Sequence, residues 1–380
     1  MSENNLNIQM VDLKSQYVKI KPQVDQAIND VLSSTQFING EHVKSFQNEL
    51  AAYLGVKHVI TCANGTDALQ ISMMALGLKP GDEVITPSFT YIATTEVIGL
   101  LGLKPVFVDC DSENFNISIA EVEKSITKKT KAIVPVHLFG QSSDMKSIMN
   151  LAKKYNLFVI EDNAQAIGSD YLGFDQPQKT GTIGNIGCTS FFPSKNLGCF
   201  GDGGAMMTND DELAKKLRMI ANHGQSKRYY HDIVGCNSRL DNIQAAVLRI
   251  KLKELDQYIL NRQKAANYYD QNLKDLDQLT LPYRNLDSNH VFHQYTLKLD
   301  DNIVRDELIQ YLATKNIPAM VYYPVPAHRQ KMFSKIPNSY GNMKVTNWLS
   351  SRVFSLPMHT ELSTLQQDYI IENISNFLNK

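Results

Sequence analysis

Short runs of β-branched and aromatic residues alternate with longer amphipathic segments over much of the 380-residue chain. Between successive runs lie about ten residues or more in which apolar positions recur at helical spacing. Alternation of this kind indicates βαβ units, whose parallel strands are covered by helices on both faces. The predicted strands are residues 59–61, 84–86, 106–108, 132–134 and 158–160, and two further short runs at 190–192 and 205–208 complete the sheet.

Amphipathic segments flank this alternating region on both sides. The βα rhythm ends near residue 255, after which one strand is predicted at 295–299. We therefore predict an α/β fold with a large domain at 1–254, built on a mostly parallel sheet, and a smaller α+β domain at 255–380. The flanking helices are predicted at about 15–31, 43–54, 255–273 and 303–315 and after Ser363, and Gly55 ends the second of them.

The charge balance of the chain is nearly even, with 38 basic and 39 acidic side chains and a net charge of -1. This balance gives no indication of nucleic acid or of an anionic membrane as a partner. The sequence contains no run of 18 apolar residues, so no membrane-spanning helix is predicted. The N-terminal stretch MSENNLNIQMVDLKSQ lacks the basic start and the apolar run of a signal peptide, and we expect a cytoplasmic protein.

The five cysteines and nine histidines are scattered along the chain. Cys62, Cys110, Cys188, Cys199 and Cys236 form no CxxC pair, which favours reduced thiols over a disulfide framework or a zinc site. The histidines show no HxH or HxxxH spacing, so we predict no catalytic metal.

One lysine lies in an unusual segment, TSFFPSKNLGCFGDGGA, at residues 189–205. Lys195 follows an apolar stretch with hydroxyl groups and precedes a run of small residues from 198 to 205. Glycines allow the backbone to approach a bound group closely, and lysine forms Schiff bases with carbonyl compounds. Lys195 is therefore a candidate covalent anchor. The alternative is a surface lysine in a flexible glycine loop.

Polar and aromatic residues follow three of the predicted strands, at the edge where parallel sheets bind ligands. Gly65 and Thr66 precede a predicted helix, whose N-terminal N–H groups favour phosphate, unless Thr66 is only its N-cap. Tyr91 follows the second strand and either stacks on a planar ligand or packs in the core. Asp162 ends the fifth strand, where a carboxylate needs a cation or several donors, unless it forms a cap or a surface turn.

These features together match the requirements of pyridoxal 5'-phosphate. Its aldehyde binds a lysine, its phosphate binds backbone N–H groups, and its ring nitrogen carries a proton that a carboxylate stabilises. No GxGxxG motif follows the first strand, which argues against a dinucleotide-binding domain.

Longer motifs extend this pattern over nearly the whole chain. They are FINGEHVKSFQNELAAYLG, CANGTDAL, PGDEVITPSFTYIAT, KAIVPVHLFGQ, VIEDNAQAIG, SFFPSKNLGCFGDGGA, GCNSRLDNIQAAVL, YYPVPAH and SLPMH. In these motifs the sequence resembles the DegT/DnrJ/EryC1/StrS sugar aminotransferases. The resemblance implies an aspartate-aminotransferase fold (PLP fold type I) and pyridoxal 5'-phosphate as the cofactor. It also implies transfer of an amino group, with L-glutamate as the expected donor, to a nucleotide-linked keto sugar.

The resemblance further implies roles for single residues. Lys195 matches the Schiff-base lysine and Asp162 the partner of the pyridine nitrogen, so both are expected to be catalytic. The other expected cofactor contacts are Gly65, Thr66 and Ser190 at the phosphate, Tyr91 at the ring, Gln165 at the phenolic edge, and Asn237. Asn237 resembles an asparagine that reaches the phosphate from the neighbouring subunit, which implies a homodimer with shared active sites.

In the residues of these motifs the sequence most resembles aminotransferases that act on UDP-2-acetamido-2-deoxy-3-oxo-D-glucuronate. Those enzymes make amino sugars of O-antigen, a lipopolysaccharide component. Arg239 from the partner subunit would bind the uronate carboxylate, unless it forms a salt bridge between subunits. Tyr322 and Tyr323 are the other expected substrate contacts. Because Tyr322 stands where those relatives show histidine, a dTDP-3-oxo-6-deoxyhexose is the rival substrate. The fold is also compatible with a non-catalytic sensor, or with a lyase or decarboxylase that uses the same cofactor.

Overall fold

An eight-stranded sheet forms the centre of the protein in a computed structural model, which describes residues 6–379. The first five residues of the polar N-terminal stretch lie outside the described part. The helices are α1 (Leu13–Ser34), α2 (Glu41–Leu54), α3 (Gly65–Ala75), α4 (Ala93–Leu100), α5 (Ile119–Ser125), α6 (Met145–Tyr155), α7 (Asp211–Ala221), α8 (Asn242–Leu273), α9 (Arg305–Thr314), α10 (Lys344–Arg352) and α11 (Thr364–Leu378). Within residues 6–379, no helix is both long and apolar enough to cross a bilayer.

The strands of the described residues belong to the large sheet and to three smaller ones. They are β1 (His58–Cys62), β2 (Glu83–Pro87), β3 (Lys104–Val108), β4 (Thr130–Ile133), β5 (Phe158–Asp162), β6 (Asp170–Tyr171), β7 (Gln178–Lys179), β8 (Ile186–Ser190), β9 (Gly204–Thr208), β10 (Gln225–Lys227), β11 (Tyr230–His231), β12 (Leu279–Thr280), β13 (Tyr295–Leu299), β14 (Ser339–Tyr340) and β15 (Val353–Leu356).

The large sheet has the strand order β1-β9-β8-β5-β4-β2-β3-β14. Neighbouring strands from β8 to β14 run parallel, whereas β9 runs antiparallel to both β1 and β8. The predicted α/β fold with a mostly parallel sheet is therefore confirmed.

Successive residues of the buried strands enter different hydrophobic clusters, because side chains alternate between the two faces of a sheet. Ile60 and Ile160 pack with residues of α3, α4 and α7 on one face. On the other face, Val59 packs with α2 and α8, and Ile85 and Val159 pack with α5 and α6. Both faces are thus covered by helices, as the continuous apolar runs of the sequence predict.

One predicted strand lies at the wrong residues. The run at 190–192 contains two phenylalanines, but β8 ends at Ser190 and begins at Ile186. Phe191 packs in the core beyond the strand, and Phe192 is exposed. Gly187 lies within β8, at a position where a Cβ would meet the backbone of Gly181. Because a glycine occupies this strand position, the sequence of β8 shows only a weak hydrophobic pattern.

Helix α8 begins at Asn242, well before the predicted start near residue 255. Charged residues at Arg249 and Lys251 interrupt the apolar periodicity there, although Lys251 is buried. The helix passes through the predicted domain boundary between residues 254 and 255, and β14 pairs with β3 in the large sheet. Helix α8 and the pairing of β14 with β3 therefore join the two predicted domains. The boundary between them stays a prediction.

The C-terminal part contains an antiparallel sheet with the order β12-β13-β15. Helices α8, α9 and α11 pack on it around a hydrophobic cluster that includes Tyr269, Leu297 and Ile374. Ser363 starts α11 with a capping box, in which its side chain and that of Gln366 exchange hydrogen bonds with the backbone. Helices packed on an antiparallel sheet are typical of an α+β fold, as predicted for this part of the chain.

We expect the contact between α2 and the segment after β8 to be important for stability. The rings of Phe46 and Phe191 are both fully buried and pack edge to face, 5.3 Å apart. Phe46→Ala should lower the free energy of unfolding by about 3–5 kcal/mol because it leaves a cavity. Scanning calorimetry should show a lower unfolding midpoint. Leu100→Ala, at a position that is 70% exposed, is the control and should leave the midpoint almost unchanged. Equal midpoints for both variants would contradict the prediction.

Candidate active site

A cavity of about 750 Å³ lies at the carboxyl ends of strands in the large sheet. Residues that follow β1, β2, β5 and β8 contribute to its wall, together with residues from the C-terminal part of the chain. Nine of the eleven predicted site residues line it, namely Gly65, Thr66, Tyr91, Asp162, Gln165, Ser190, Lys195, Tyr322 and Tyr323. The fold therefore brings these residues to one place, while the role of each stays a prediction.

The N-terminus of α3 forms one part of the cavity wall. Asn64 is the N-cap, and its side chain accepts a hydrogen bond from the backbone N–H of Asp67 at 2.8 Å. The alternative of Thr66 as the cap is therefore wrong. A Cβ at Gly65 would lie 2.7 Å from Cβ of Ser190, so glycine is needed for this close approach. The unpaired N–H groups of the first turn, with the helix dipole, favour an anion beside the Ser190 hydroxyl.

Asp162, the last residue of β5, is buried on the cavity wall. Thr94 Oγ1 donates a hydrogen bond to its Oδ2 at 2.8 Å, and the backbone N–H of Ala164 donates to Oδ1 at 3.1 Å. Burial raises the pKa of Asp162, although these hydrogen bonds and the charge of Lys195 act in the opposite direction. Its burial rules out the alternative of a surface turn. A cationic group in the cavity would stabilise the charged carboxylate.

Lys195 lies in the segment between β8 and β9, where its backbone N–H donates to Phe192 O at 2.9 Å. The next residue, Asn196, is buried and donates from Nδ2 to Val291 O at 2.9 Å, which fixes the segment. Burial of the amine lowers the pKa of Lys195 to about 8, while the charge of Asp162 acts to raise it. Part of the amine is therefore neutral near neutral pH, and the neutral amine is the form that attacks a carbonyl carbon.

Gln165 is buried, and its amide lies between the backbone of Phe139 and the hydroxyl of Tyr323. The N–H of Phe139 donates to its Oε1 at 2.7 Å, which orients the amide so that Nε2 donates to the hydroxyl of Tyr323 at 2.9 Å. Burial raises the pKa of Tyr323, so this hydroxyl stays neutral. The ring of Tyr323 lies 6.2 Å from that of Tyr91. Tyr91 is 58% exposed on the cavity wall, so the alternative of a core residue is wrong.

Asn237 and Arg239 do not line the cavity of their own chain. Asn237 is exposed and forms a β-bridge with Asn222, and Arg239 Nη1 donates to Asn222 Oδ1 at 3.3 Å. Between them, Ser238 is buried and donates to Asp67 Oδ2 at 2.6 Å. This contact ties the segment to the first turn of α3. The proposed contacts of Asn237 and Arg239 with a partner subunit's site stay predictions.

Sequence reasoning missed several polar residues of the wall, which are Asn64, Asp67, Thr90, Ser194, Asp202, His293 and Gln294. For Asn64 a signal was available, since asparagine is a preferred N-cap and directly precedes Gly65 in the motif CANGTDAL. His293 and Gln294 lie in the predicted smaller domain, far along the chain from Lys195. No local pattern connects these distant segments, and only the tertiary fold brings them together.

The groups on the wall fit pyridoxal 5'-phosphate. The neutral form of the Lys195 amine suits an aldehyde, and the first turn of α3 with Ser190 suits a phosphate. Burial raises the pKa of Asp162, and a protonated ring nitrogen would supply the cation that lowers it again. Within residues 6–379, no group of three or more His, Cys, Asp and Glu side chains is arranged to hold a metal ion.

The sequence matches a family model described as the DegT/DnrJ/EryC1/StrS aminotransferase family over residues 18–375. It is 45% identical to a pleiotropic regulatory protein of Geobacillus stearothermophilus, over 98% of this chain and 99% of that protein. It is 44% identical to a UDP-2-acetamido-2-deoxy-3-oxo-D-glucuronate aminotransferase of Pseudomonas aeruginosa, over 97% of this chain and 100% of the relative. A UDP-N-acetyl-3-dehydro-alpha-D-glucosamine 3-aminotransferase of Acidithiobacillus ferrooxidans is 45% identical, over 94% of each chain.

Solved structures agree with this match. A DegT DnrJ EryC1 StrS aminotransferase from Brucella abortus superposes with a TM-score of 0.92 at 40% identity, over 98% of this chain and 100% of the other. NtdA from Bacillus subtilis, with bound cofactor PMP, superposes with a TM-score of 0.87 at 31% identity, over 95% of this chain and 82% of the other. The fold and the family are therefore the same as those of known aminotransferases.

We expect the titration of Lys195 in cofactor-free protein to report its environment. Modification of amines over a range of pH, read by peptide mass spectrometry, should give half-maximal reaction of Lys195 near pH 8. Asp162→Asn should move this point to lower pH, because the charge of Asp162 raises the pKa of Lys195. Asp202→Asn, on the same wall, is the matched control and should leave it in place. A shift to higher pH in Asp162→Asn would contradict the prediction.

Proposed function

The chain belongs to the DegT/DnrJ/EryC1/StrS aminotransferase family, and on this basis we propose that it transfers an amino group from L-glutamate to a nucleotide-linked keto sugar. Pyridoxal 5'-phosphate is the cofactor. The proposed acceptor is UDP-2-acetamido-2-deoxy-3-oxo-D-glucuronate, after the name of the Pseudomonas aeruginosa relative. The observation that carries the proposal is the Lys195 amine and the Asp162 carboxyl on the wall of one cavity. The proposed setting is the cytoplasmic synthesis of O-antigen, a lipopolysaccharide component.

The predicted cofactor contacts other than Asn237 line this wall. Lys195 would hold the aldehyde carbon through its ε-amine, and Asp162 would hold the proton on the ring nitrogen. Tyr91, exposed on the wall, would cover the ring. The remaining proposed contacts are Gly65, Thr66 and Ser190 at the phosphate and Gln165 at the phenolic edge. Oε1 of Gln165 accepts from the N–H of Phe139 and Nε2 donates to Tyr323, so Nε2 is the group of this amide that would donate to the phenolic edge.

The side chains of this chain then move the protons of the reaction. When bound, the cofactor supplies an electron-accepting ring beside the carbon that carries the amino group. Lys195 Nζ would take the α-proton of the donor and would give a proton to the sugar carbon that receives the amine. A pKa of about 8 suits both steps, because the amine can accept a proton and give it up near neutral pH. Thr94 and the N–H of Ala164 keep the Asp162 carboxylate in one orientation.

The charges on the wall support a site shared between two copies of the chain. Among the described residues that line the cavity, Lys195 is the one cationic side chain beside three carboxylates, Asp67, Asp162 and Asp202. A cofactor phosphate, a nucleotide diphosphate and a uronate are all anionic, so further cations are needed. We propose that a second copy supplies them, with Arg239 at the uronate carboxylate and Asn237 at the cofactor phosphate.

Exposed apolar side chains near Arg239 also support a homodimer. Tyr229 is 77% exposed, and Val234 is 83% exposed. Both lie in the segment that includes the hairpin β10–β11 and precedes Asn237. Large apolar side chains that are exposed together in this way are typical of a surface that another chain covers.

Two alternatives have some support. The Geobacillus stearothermophilus relative is named a pleiotropic regulatory protein, which favours a sensor that binds a sugar nucleotide without turnover. Tyr322 on the cavity wall carries no positive charge, which favours a dTDP-3-oxo-6-deoxyhexose, whose sugar ring has no carboxylate, over a uronate. A lysine with a lowered pKa on the same cavity wall as a buried carboxyl is needed for transfer but not for sensing, so we retain the aminotransferase proposal.

The first test is the reaction of the cofactor-loaded protein with L-glutamate alone. Its visible absorption band should change to that of the aminated cofactor, and 2-oxoglutarate should be released. Lys195→Ala should lose this reaction by at least about three orders of magnitude, because both the covalent anchor and the proton carrier are removed. Lys195→Arg should be equally inactive, since arginine keeps a positive charge but stays protonated. An unchanged band in the unsubstituted protein would favour the sensor.

The second test concerns the acceptor. Arg239→Ala should raise the KM for UDP-2-acetamido-2-deoxy-3-oxo-D-glucuronate by about tenfold or more, because a charge-assisted hydrogen bond is lost. The KM for UDP-N-acetyl-3-dehydro-alpha-D-glucosamine, which lacks the carboxylate, should stay nearly constant. Arg218→Ala, at an exposed position on α7, is the control for the loss of a surface charge. Equal effects of Arg239→Ala on both sugars would show that Arg239 does not recognise the carboxylate.

A further inference from the structure

Thr94 is a buried residue of α4 whose hydroxyl contacts the Asp162 carboxylate behind the cavity wall. Thr94 is 1% exposed and does not line the cavity, whereas Asp162 is 5% exposed and does line it. Thr94 Oγ1 lies 2.8 Å from Asp162 Oδ2, 3.2 Å from Tyr91 O and 3.1 Å from Thr90 Oγ1. Any effect of Thr94 on a ligand in the cavity therefore passes through Asp162 or through the segment that carries Tyr91.

The hydroxyl of Thr94 has one proton for these neighbouring oxygens. A threonine hydroxyl donates once and accepts through its lone pairs. The contact with Asp162 is the shortest, and a charged carboxylate is a stronger acceptor than a neutral carbonyl or hydroxyl. The Thr94 proton thus goes to Asp162 when the carboxylate is charged. Thr90, on the cavity wall, then donates its own proton to Thr94 Oγ1, so that the three groups form one chain.

This hydrogen bond acts on the charge of Asp162. Burial raises the pKa of the Asp162 carboxyl, and among the interactions that lower it the hydrogen bond from Thr94 acts most strongly. It stands ahead of the N–H of Ala164 and of the charges of Lys195 and His137. A hydrogen bond that a carboxylate accepts favours the charged form. Thr94 is therefore the main group of the protein that opposes the neutralisation of Asp162 by burial.

Two further titratable groups near Asp162 do not take over this role. Tyr323 and Cys188 both feel the charge of Asp162, and burial raises the pKa of each. Both side chains are neutral near neutral pH, so neither brings a positive charge to the carboxylate.

The charge of Asp162 determines where a proton lies when the cofactor is bound. A carboxyl and a pyridine nitrogen that face each other share one proton. If the charged carboxylate is stabilised, the proton stays on the ring nitrogen. If the neutral carboxyl is favoured, the carboxyl takes it. The protonated ring is the form that accepts electrons strongly, so the position of this proton affects the chemistry that the cofactor supplies.

The backbone around Thr94 holds the hydroxyl in place. Thr94 is the second residue of α4, and the N–H of Thr95 donates to Ile92 O at 2.9 Å in the first turn of that helix. A β-branched side chain in a helix has few rotamers. The same short segment carries Tyr91, which is proposed to cover the face of the ring. Thr94 thus joins the residue at the ring face to the residue at the ring nitrogen.

We propose that Thr94 is a positioning residue, which keeps the Asp162 carboxylate charged and thereby holds the proton on the ring nitrogen of pyridoxal 5'-phosphate. The inference rests on the proposed function only through its cofactor. It does not depend on which amino acid gives the amino group or on which sugar receives it.

The first measurement is nitrogen-15 NMR of the bound cofactor, labelled at the ring nitrogen, at one fixed pH. Protonation changes the resonance of a pyridine nitrogen strongly, so the spectrum reports the proton directly. Thr94→Val removes the hydroxyl and keeps the shape of the side chain. It should move the resonance towards that of an unprotonated nitrogen. Thr94→Ser keeps the hydroxyl and should leave the resonance close to that of the unsubstituted protein.

The second measurement compares two dissociation constants, for pyridoxal 5'-phosphate and for an analogue in which a carbon replaces the ring nitrogen. Thr94→Val should weaken binding of the cofactor by about tenfold or more, because a hydrogen bond to a charged group is lost. Binding of the analogue should change by less than about twofold, because it has no ring proton that a charged Asp162 stabilises. Thr94→Ser should restore most of the affinity for the cofactor.

The matched control is Thr95→Val. Thr95 is also buried on α4, and its Oγ1 donates to Ile92 O at 3.0 Å, much as Thr94 lies near Tyr91 O. It does not line the cavity. Thr95→Val therefore reports the loss of a buried threonine hydroxyl without a change at Asp162, and it should leave the nitrogen resonance and the ratio of the two affinities unchanged.

An unchanged nitrogen resonance in Thr94→Val would overturn the proposal. An equal loss of affinity for the cofactor and the analogue would also overturn it, since Thr94 would then have only a structural role. If Thr94→Val does not fold or load the cofactor, Thr94→Ser and Thr94→Ala are compared, because they differ only by the hydroxyl oxygen. Equal resonances in these two variants would overturn the proposal as well.

Failure of the proposed function gives a different result. In that case the visible band of the unsubstituted protein does not change with glutamate. The nitrogen resonance and the two affinities need no amino acid or sugar, so they decide the role of Thr94 independently.

Discussion

Desolvation of two groups of opposite charge on one cavity wall is the constraint on which the rest of the structure depends. Burial raises the pKa of Asp162 and lowers that of Lys195, so each group is shifted towards its neutral form. Burial of such groups opposes folding, and the hydrophobic clusters on both faces of the sheet must outweigh this cost. The same shifts make the amine reactive and leave the carboxyl in need of a cation, which are the two properties that pyridoxal 5'-phosphate requires.

The neighbouring residues Glu161 and Asp162 show how the fold produces this difference. Successive side chains of β5 point to opposite faces of the sheet, so the two carboxylates meet different surroundings. Glu161 accepts hydrogen bonds from the N–H groups of Gly181, Ile183 and Gly184 at 2.6 to 2.8 Å and contacts His137 Nε2 at 2.9 Å. Within residues 6–379, the carboxylate of Asp162 accepts hydrogen bonds only from Thr94 Oγ1 and from the N–H of Ala164. One carboxylate is fully satisfied within the chain, and the other remains available to a ligand.

The cavity also depends on segments that are distant in sequence. Asp162 ends β5 of the large sheet and Lys195 lies between β8 and β9, whereas His293 and Tyr323 come from the C-terminal part. Arg262 on α8 joins two segments of the C-terminal part, because it donates to a carbonyl of the segment that carries His293 and to one of the segment after β15. Together these segments carry one cationic side chain on the described wall, which is why a second copy of the chain enters the proposed function.

The sequence by itself determined the α/β fold class, the strand ends at which Gly65, Tyr91 and Asp162 lie, and the family to which the motifs point. These features are local, since periodicity, cap residues and motif spacing are properties of short stretches of chain. The start of α8 and the position of β8 were predicted wrongly because charged or small residues occupy buried positions there, which only packing explains. Only the tertiary structure decided that Asn64 caps α3, that Asp162 is buried beside Lys195, and that His293 joins them with an unpaired nitrogen. Burial and contact between distant segments arise from the packing of the whole chain, so no local pattern contains them.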